Sequence, residues 1–354
     1  MRSIDLQVDV TEAAGLGEKA HVALTVHLPD GEAVPANPVV CFAKPGGGYS
    51  KGYYMLDLPG PAHGAQAEWH AQRGWIFVSV DHLGVGASST HHGLDALTYT
   101  VVAAASEAAE QEVLDRLAAG SLAEGFPAVT EPLRLGIGQS MGGCMTVIQQ
   151  GRYHCYDGIG VLGYSAVHTH PPTRPGTVPI TAAWMPRDAL PTAQVAVNAP
   201  ALAAATLSTQ QADTRPAMGW GFFCDDVDPE VVRADLVDFP TPNGRVPPWA
   251  SATLPAVVAM WCLAPGAVAP EAAAVTVPVL VAMGERDVLA DPRGEPRAYQ
   301  LAPSVDLFVC RRMGHMHNFA STRKLFWQRI ETWAEWVRAA KGAARTRRWP
   351  SLTM

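Results

Sequence analysis

Gly138-Gln139-Ser140-Met141-Gly142 places a serine between two glycines. A serine on a tight strand-to-helix turn needs that spelling. The backbone folds back on itself, a side chain at either glycine would clash, and the hydroxyl is lifted out of the core. The chemistry on offer is nucleophilic attack on a carbonyl. A serine hydroxyl is a weak nucleophile, so it needs a base, and the base needs an acid to orient it. Around such a turn the chain order is serine, acid, histidine. Met283-Gly284-Glu285-Arg286-Asp287 and Arg312-Met313-Gly314-His315 come in that order. Asp287 is the expected acid; the alternative makes Asp287 a helix N-cap and Glu285 the acid. His315 is the expected base, with His317 competing. Gly314 favours His315, because a small neighbour lets the ring approach the serine. The bland reading of Ser140 is an ordinary turn serine.

Negative charge developing on the carbonyl oxygen needs N–H donors. Met141 N–H, at the start of the following helix, is one. In Pro45-Gly46-Gly47-Gly48-Tyr49 the glycine run lets N–H groups turn towards the serine. Gly47 or Gly48 is the expected second donor, and Tyr49 is expected to line the pocket.

These residues need a scaffold. Residues 39–43 and 75–80 are continuous apolar runs, which suits strands buried on both faces. Residues 133–137 run into the serine turn, and a helix over 144–150 follows. Further strands are expected over 158–163, 277–283 and 305–310. Residues 4–8 and 21–26 alternate with period two, as paired strands do. Helical patterns cover 66–73, 97–119 and 322–340. Strands alternating with helices predict a parallel α/β sheet.

The rhythm breaks over residues 171–270, which are rich in Pro, Ala and Trp. That is too long for a plain loop. The expectation is an inserted helical cap over 165–274, between core segments 1–164 and 275–354. Trp184, Met185, Trp220 and Phe222 of this cap are expected to contact substrate, since pockets for small organic molecules are mostly apolar. The alternative is that such residues only pack the cap on the sheet.

The elbow at 138–142, the turn at 284–287 and Gly314-His315 resemble the α/β-hydrolase superfamily, over residues 20–164 and 275–340. The resemblance implies a mostly parallel eight-stranded sheet and a triad carried onto Ser140, Asp287 and His315. It implies no cofactor. One departure is Pro45-Gly46, where many members have His-Gly. The expected activity is hydrolysis of an ester or lactone of a moderately large apolar small molecule. Gln139-Ser140-Met141-Gly142-Gly143 is also similar to the elbow of homoserine acyltransferases, so acyl transfer by the same triad is the first alternative. A hydrolase-fold receptor that binds a small molecule without turnover is the second.

Composition narrows the field. The 354 residues are 48% hydrophobic and 17% charged, a globular composition. A net charge of −7 gives no broad footprint for nucleic acid. No apolar run is long enough to span a membrane, and the N-terminus lacks the apolar stretch of a secretory signal. Six scattered cysteines show no CxxC spacing, so free thiols in a reducing, cytoplasmic compartment are expected. Neither His91-His92 nor His168-Thr169-His170 has a carboxylate or cysteine at ligand spacing, so no metal is expected. The oligomeric state stays open, a homodimer included.

Overall fold

Val40 and Phe42 point to one side of their strand, Val39, Cys41 and Ala43 to the other, and both sets are buried. Burial on both faces of one strand requires cover on both faces of the sheet. The computed structural model describes residues 2–30, 34–57, 64–90, 96–176, 182, 184, 217–238 and 246–346.

The sheet has eight strands: β1 (Arg2–Asp9), β2 (His21–Leu28), β3 (Val39–Lys44), β4 (Ile76–Val80), β5 (Leu133–Gln139), β6 (Gly158–Leu162), β7 (Val279–Gly284) and β8 (Val305–Cys310). Their order is β1-β2-β4-β3-β5-β6-β7-β8. The β1–β2 and β2–β4 pairs are antiparallel, and every later pair is parallel. The parallel strands therefore all deliver their carboxyl ends to one edge, where open α/β sheets bind ligands.

Helices α1 (Thr11–Ala14), α2 (Gln66–Ala71), α3 (Tyr99–Ala118) and α4 (Met141–Tyr153) precede β6. Between β6 and β7 lies the helical insertion, with α5 (Ala217–Phe222), α6 (Pro229–Asp238), α7 (Ala256–Trp261) and α8 (Ala269–Ala274) among its described residues. The last helix, α9, is Arg323–Thr346. Its Phe326, Trp327, Ile330, Trp333, Ala334 and Val337 recur at helical spacing and are all buried. All of these but Trp327 join the core on the Cys41 side of the sheet, while α3 and α4 bury Val102, Val113, Val147 and Ile148 on the Phe42 side.

A charged cluster sits inside this core. Lys44, the last residue of β3, is completely buried and pairs with Glu110 of α3. Its ammonium also donates to the Tyr156 hydroxyl at 2.7 Å. Tyr156 and Gln149 both donate to the second Glu110 oxygen, at 2.6 and 2.9 Å. The ammonium and both carboxylate oxygens have partners, the condition under which a buried charge is tolerated. The cluster ties the end of β3 to α3 and α4.

Candidate active site

Ser140 lies between β5 and α4 with φ 54° and ψ −119°. A non-glycine residue adopts such angles only when its surroundings hold it there. Here a side chain at Gly138 would overlap the Gly142 carbonyl, and one at Gly142 would overlap the Lys44 carbonyl. Both glycines are needed for close backbone approach. Ser140 N–H donates to the Leu162 carbonyl at 2.8 Å, which pins the turn to β6. The Ser140 side chain is left partly exposed, and its hydroxyl bonds to no described residue.

Asp287 and His315 come together from the loops after β7 and β8. His315 Nδ1 lies 2.7 Å from Asp287 Oδ1. Glu285, the alternative acid, faces solvent. The competing histidine also finds the same carboxylate: His317 Nε2 lies 2.7 Å from Asp287 Oδ2. Backbone N–H groups complete the set, Val288 on Oδ1 and Gly284 on Oδ2, each at 2.8 Å. Burial pushes the Asp287 carboxyl up, but the facing His315 and His317 outweigh it and hold it well below the usual carboxylate range. Burial pushes His317 below its ordinary value, against the pull of Asp287.

Gly314 also admits the backbone of α5, since a side chain there would overlap the Phe222 carbonyl. His315 N–H then donates to the Gly221 carbonyl at 2.9 Å, and Met316 N–H to that of Phe222 at 3.1 Å. The loop carrying His315 is thus clamped by the insertion.

Gln139, read from sequence only as part of the elbow, reaches across to this loop. Its amide nitrogen donates to the His315 carbonyl at 2.9 Å and lies 3.3 Å from His315 Nε2. It places that ring nitrogen beside the residue that precedes Ser140. Nothing in the local sequence signals the contact, which spans 176 residues.

The glycine run after β3 packs on the elbow. A side chain at Gly46 would overlap the Gln139 amide oxygen and come within 3.1 Å of Ser140 Cβ. One at Gly47 would meet the Met141 side chain at 3.7 Å. Gly48 has φ 83°, and its carbonyl accepts from Ser251 N–H of the insertion at 2.9 Å. Sequence reasoning passed over Gly46 as a contact of the elbow. His82, in the loop after β4, lies with its Nε2 2.9 Å from the Pro45 carbonyl. Burial pushes His82 down to about 4, so the neutral ring donates that hydrogen bond and orients the peptide that opens the run.

Tyr49 is buried, and its hydroxyl donates to Asp235 Oδ2 at 2.7 Å. Trp249 Nε1 donates to the other Asp235 oxygen at 2.6 Å. Tyr49 also pairs with Ala250 in an isolated antiparallel bridge. It therefore joins the glycine run to the insertion.

The expected insertion residues differ. Phe222 is buried, with its ring 5.1 Å from that of His315. Trp220 lies beneath the guanidinium groups of Arg286 at 4.9 Å and Arg174 at 6.0 Å, so cations cover it. Trp184 is 71% exposed. Met185 lies outside the described residues, as do His91 and His92.

Among the described residues no group of three His, Cys, Asp or Glu side chains could hold a metal ion, and no helix is long and apolar enough to cross a membrane. None of the six cysteines forms a disulfide.

No protein-family model and no curated protein matches the chain. Solved structures do match. An esterase from Thermogutta terrifontis, in a malate-bound structure, is similar at TM-score 0.57 and 15% identity, over 94% of this chain and 99% of that one. A bromoperoxidase from Bacillus anthracis is similar at TM-score 0.58 and 14% identity, over 94% and 100%. This is an α/β-hydrolase fold. An enol-lactonase from Burkholderia xenovorans is similar at TM-score 0.51 and 14% identity, over 90% and 96%. In this α/β-hydrolase fold Ser140 follows β5, Asp287 follows β7 and His315 follows β8, all at the carboxyl edge of the sheet.

Proposed function

We propose that the protein is a serine hydrolase that cleaves a carboxylic ester or lactone of a moderately large apolar small molecule through an acyl-enzyme. One observation carries the reading: the Asp287–His315 pair, 2.7 Å apart, meets the elbow through Gln139, whose amide lies 3.3 Å from His315 Nε2 and whose neighbour is a serine held at φ 54°. The esterase and the enol-lactonase among the similar structures lend support.

With its Nδ1–H donated to Asp287, His315 keeps a lone pair on Nε2. The Ser140 hydroxyl turns onto that nitrogen in place of the Gln139 amide and loses its proton as Oγ attacks the carbonyl carbon. Such contacts are often long before substrate binds. The oxyanion is received by Met141 N–H and by Gly47 N–H, with Gly46 making room beside Ser140; Gly48 is the other candidate. The imidazolium then returns its proton to the departing alcohol oxygen. Water, deprotonated by the same nitrogen, cleaves the acyl-enzyme and frees Ser140. The Phe222 ring, 5.1 Å from that of His315, gives the base an aromatic neighbour, in keeping with an apolar acyl or alcohol group. Six cysteines without a disulfide support a reducing compartment, the cytoplasm.

The test is labelling by a fluorophosphonate probe together with turnover of aryl esters and lactones. Wild type should label and turn over, and Ser140→Ala should do neither, with a loss of about 10⁶ in rate and an unchanged melting temperature. If the alanine variant keeps more than about a hundredth of the activity, Ser140 is not the nucleophile. Release of a transferred ester instead of free acid, when an alcohol is added, would favour the acyltransferase alternative.

A further inference from the structure

A triad needs one histidine, and Asp287 holds two. His317 is buried, and its Nε2 lies 2.7 Å from Oδ2, on the oxygen that His315 does not use. Its Nδ1 is buried with no hydrogen-bond partner. A neutral imidazole is a donor at one nitrogen and an acceptor at the other. The carboxylate accepts only from N–H, so the proton is on Nε2 and Nδ1 is bare.

The surroundings select this arrangement. The Phe326 ring lies 4.5 Å from the His317 ring. On the other side Gly163 has φ 59°, and a side chain there would stand 3.0 Å from His317 and 3.1 Å from Asp287. Burial pushes His317 below its ordinary value, so it stays neutral where a triad works. The other titratable groups facing this cluster are His315 and Tyr53. The Tyr53 phenol accepts from Asn318 N–H at 3.0 Å, and burial pushes it far above its usual range, so it too is neutral. Asp235 acts on Tyr53 from behind.

We propose that His317 is a positioning residue for the hydrolytic reaction: as an Nε2–H donor it locks Oδ2 of Asp287, so that Oδ1 is presented to His315 in one orientation. The inference rests on the triad reading above. Each carboxylate oxygen accepts one histidine and one backbone N–H, which uses the four lone-pair positions of the group. Asp287 cannot rotate without breaking all four bonds. The donor also draws negative charge towards Oδ2, and so moderates the field that Oδ1 exerts on the base. His317 does not reach the reacting atoms. Its one free nitrogen is the buried Nδ1, which excludes it as the base.

Three variants test this. His317→Gln keeps an amide nitrogen where Nε2 stood. His317→Met fills the space without a donor. His317→Asn has a donor too short to reach Oδ2. The Met and Asn variants should lose about 10- to 100-fold in kcat with little change in KM, the size expected from a misplaced catalytic group. Their acid limb of kcat/KM against pH should move to higher pH, because the unshared charge on Oδ1 holds the proton of the base more tightly. His317→Gln should restore the wild-type limb and most of kcat. In the wild type, ¹⁵N spectra of the histidines should show His317 as the Nε2–H tautomer, a measurement that needs no variant to fold. An Nδ1–H tautomer, or Met and Asn variants with wild-type kcat and pH profile, would overturn the proposal while leaving Ser140→Ala inactive. An active Ser140→Ala enzyme would instead sink the triad reading, and this inference with it.

Discussion

The Tyr49 hydroxyl donates to Asp235 across 186 residues of sequence, joining the glycine run beside the elbow to helix α6 of the insertion. Burial pushes the Asp235 carboxyl up to about 6, although Tyr49 and Trp249 both donate to it and pull it down. A raised folded-state value means that the protonated acid is the form the fold prefers. The contribution to stability is full below the unfolded value near 3.8 and is lost as pH rises through about 6. Two units correspond to about 3 kcal/mol. Asp235→Asn cannot ionise, and its amide can serve both partners. The melting temperature of the variant, relative to wild type, should therefore rise between pH 4 and pH 7. Parallel curves across that range would show that Asp235 is not desolvated.

His27 of β2 gives the opposite slope. Burial pushes it down to about 4, with Lys51 adding to the effect and Asp5 opposing it. Both ring nitrogens are buried without a partner. The unfolded chain takes up the proton first, so stability is complete above about 6.5 and is lost as pH falls through about 4. His27→Leu should raise the melting temperature more at pH 5 than at pH 8. An equal gain at both would mean that the ring is protonated in the fold.

The buried Lys44–Glu110 pair should behave asymmetrically. Lys44→Met leaves a buried carboxylate with only neutral donors, which costs roughly 3–5 kcal/mol. Adding Glu110→Gln removes the stranded charge and should recover most of that loss in urea denaturation. If the double variant is no more stable than the single one, the pair is not what holds β3 to α3.

Gly314→Ala should damage the site from outside it. The new methyl group meets the Phe222 carbonyl and pushes the His315 loop off α5. A displacement of about 1 Å at the base costs on the order of 100-fold in rate. We expect a loss of that order in kcat on a small aryl ester, read in steady-state assays. Wild-type kcat would mean that α5 does not set the position of His315.

The local signals were legible in the sequence wherever the constraint itself is local. The elbow is spelled by glycines at two fixed positions because backbone atoms collide there, and that collision is what the structure contains. The meeting of Asp287 and His315 was legible because both lie in turns just after strands that announce themselves as apolar runs. The partners of Asp235, Lys44 and Gln139 were not legible. Each is set by how distant segments meet, and no local pattern encodes the meeting. His317 was seen, but only as a rival to His315. Sequence spacing treats two histidines near one carboxylate as alternatives, whereas a carboxylate has two oxygens and can hold both.

The backbone angles of Ser140 have a consequence for descent. A side chain at φ 54° is held at a strain of roughly 1–3 kcal/mol, which glycine would largely escape. A lineage that no longer needed the hydroxyl would be free to relax Ser140→Gly and gain stability by it. On the nucleophile role proposed for it, serine at this position is a record of continued use, and among diverged copies of this chain its loss to glycine would mark the branches where that chemistry has been abandoned.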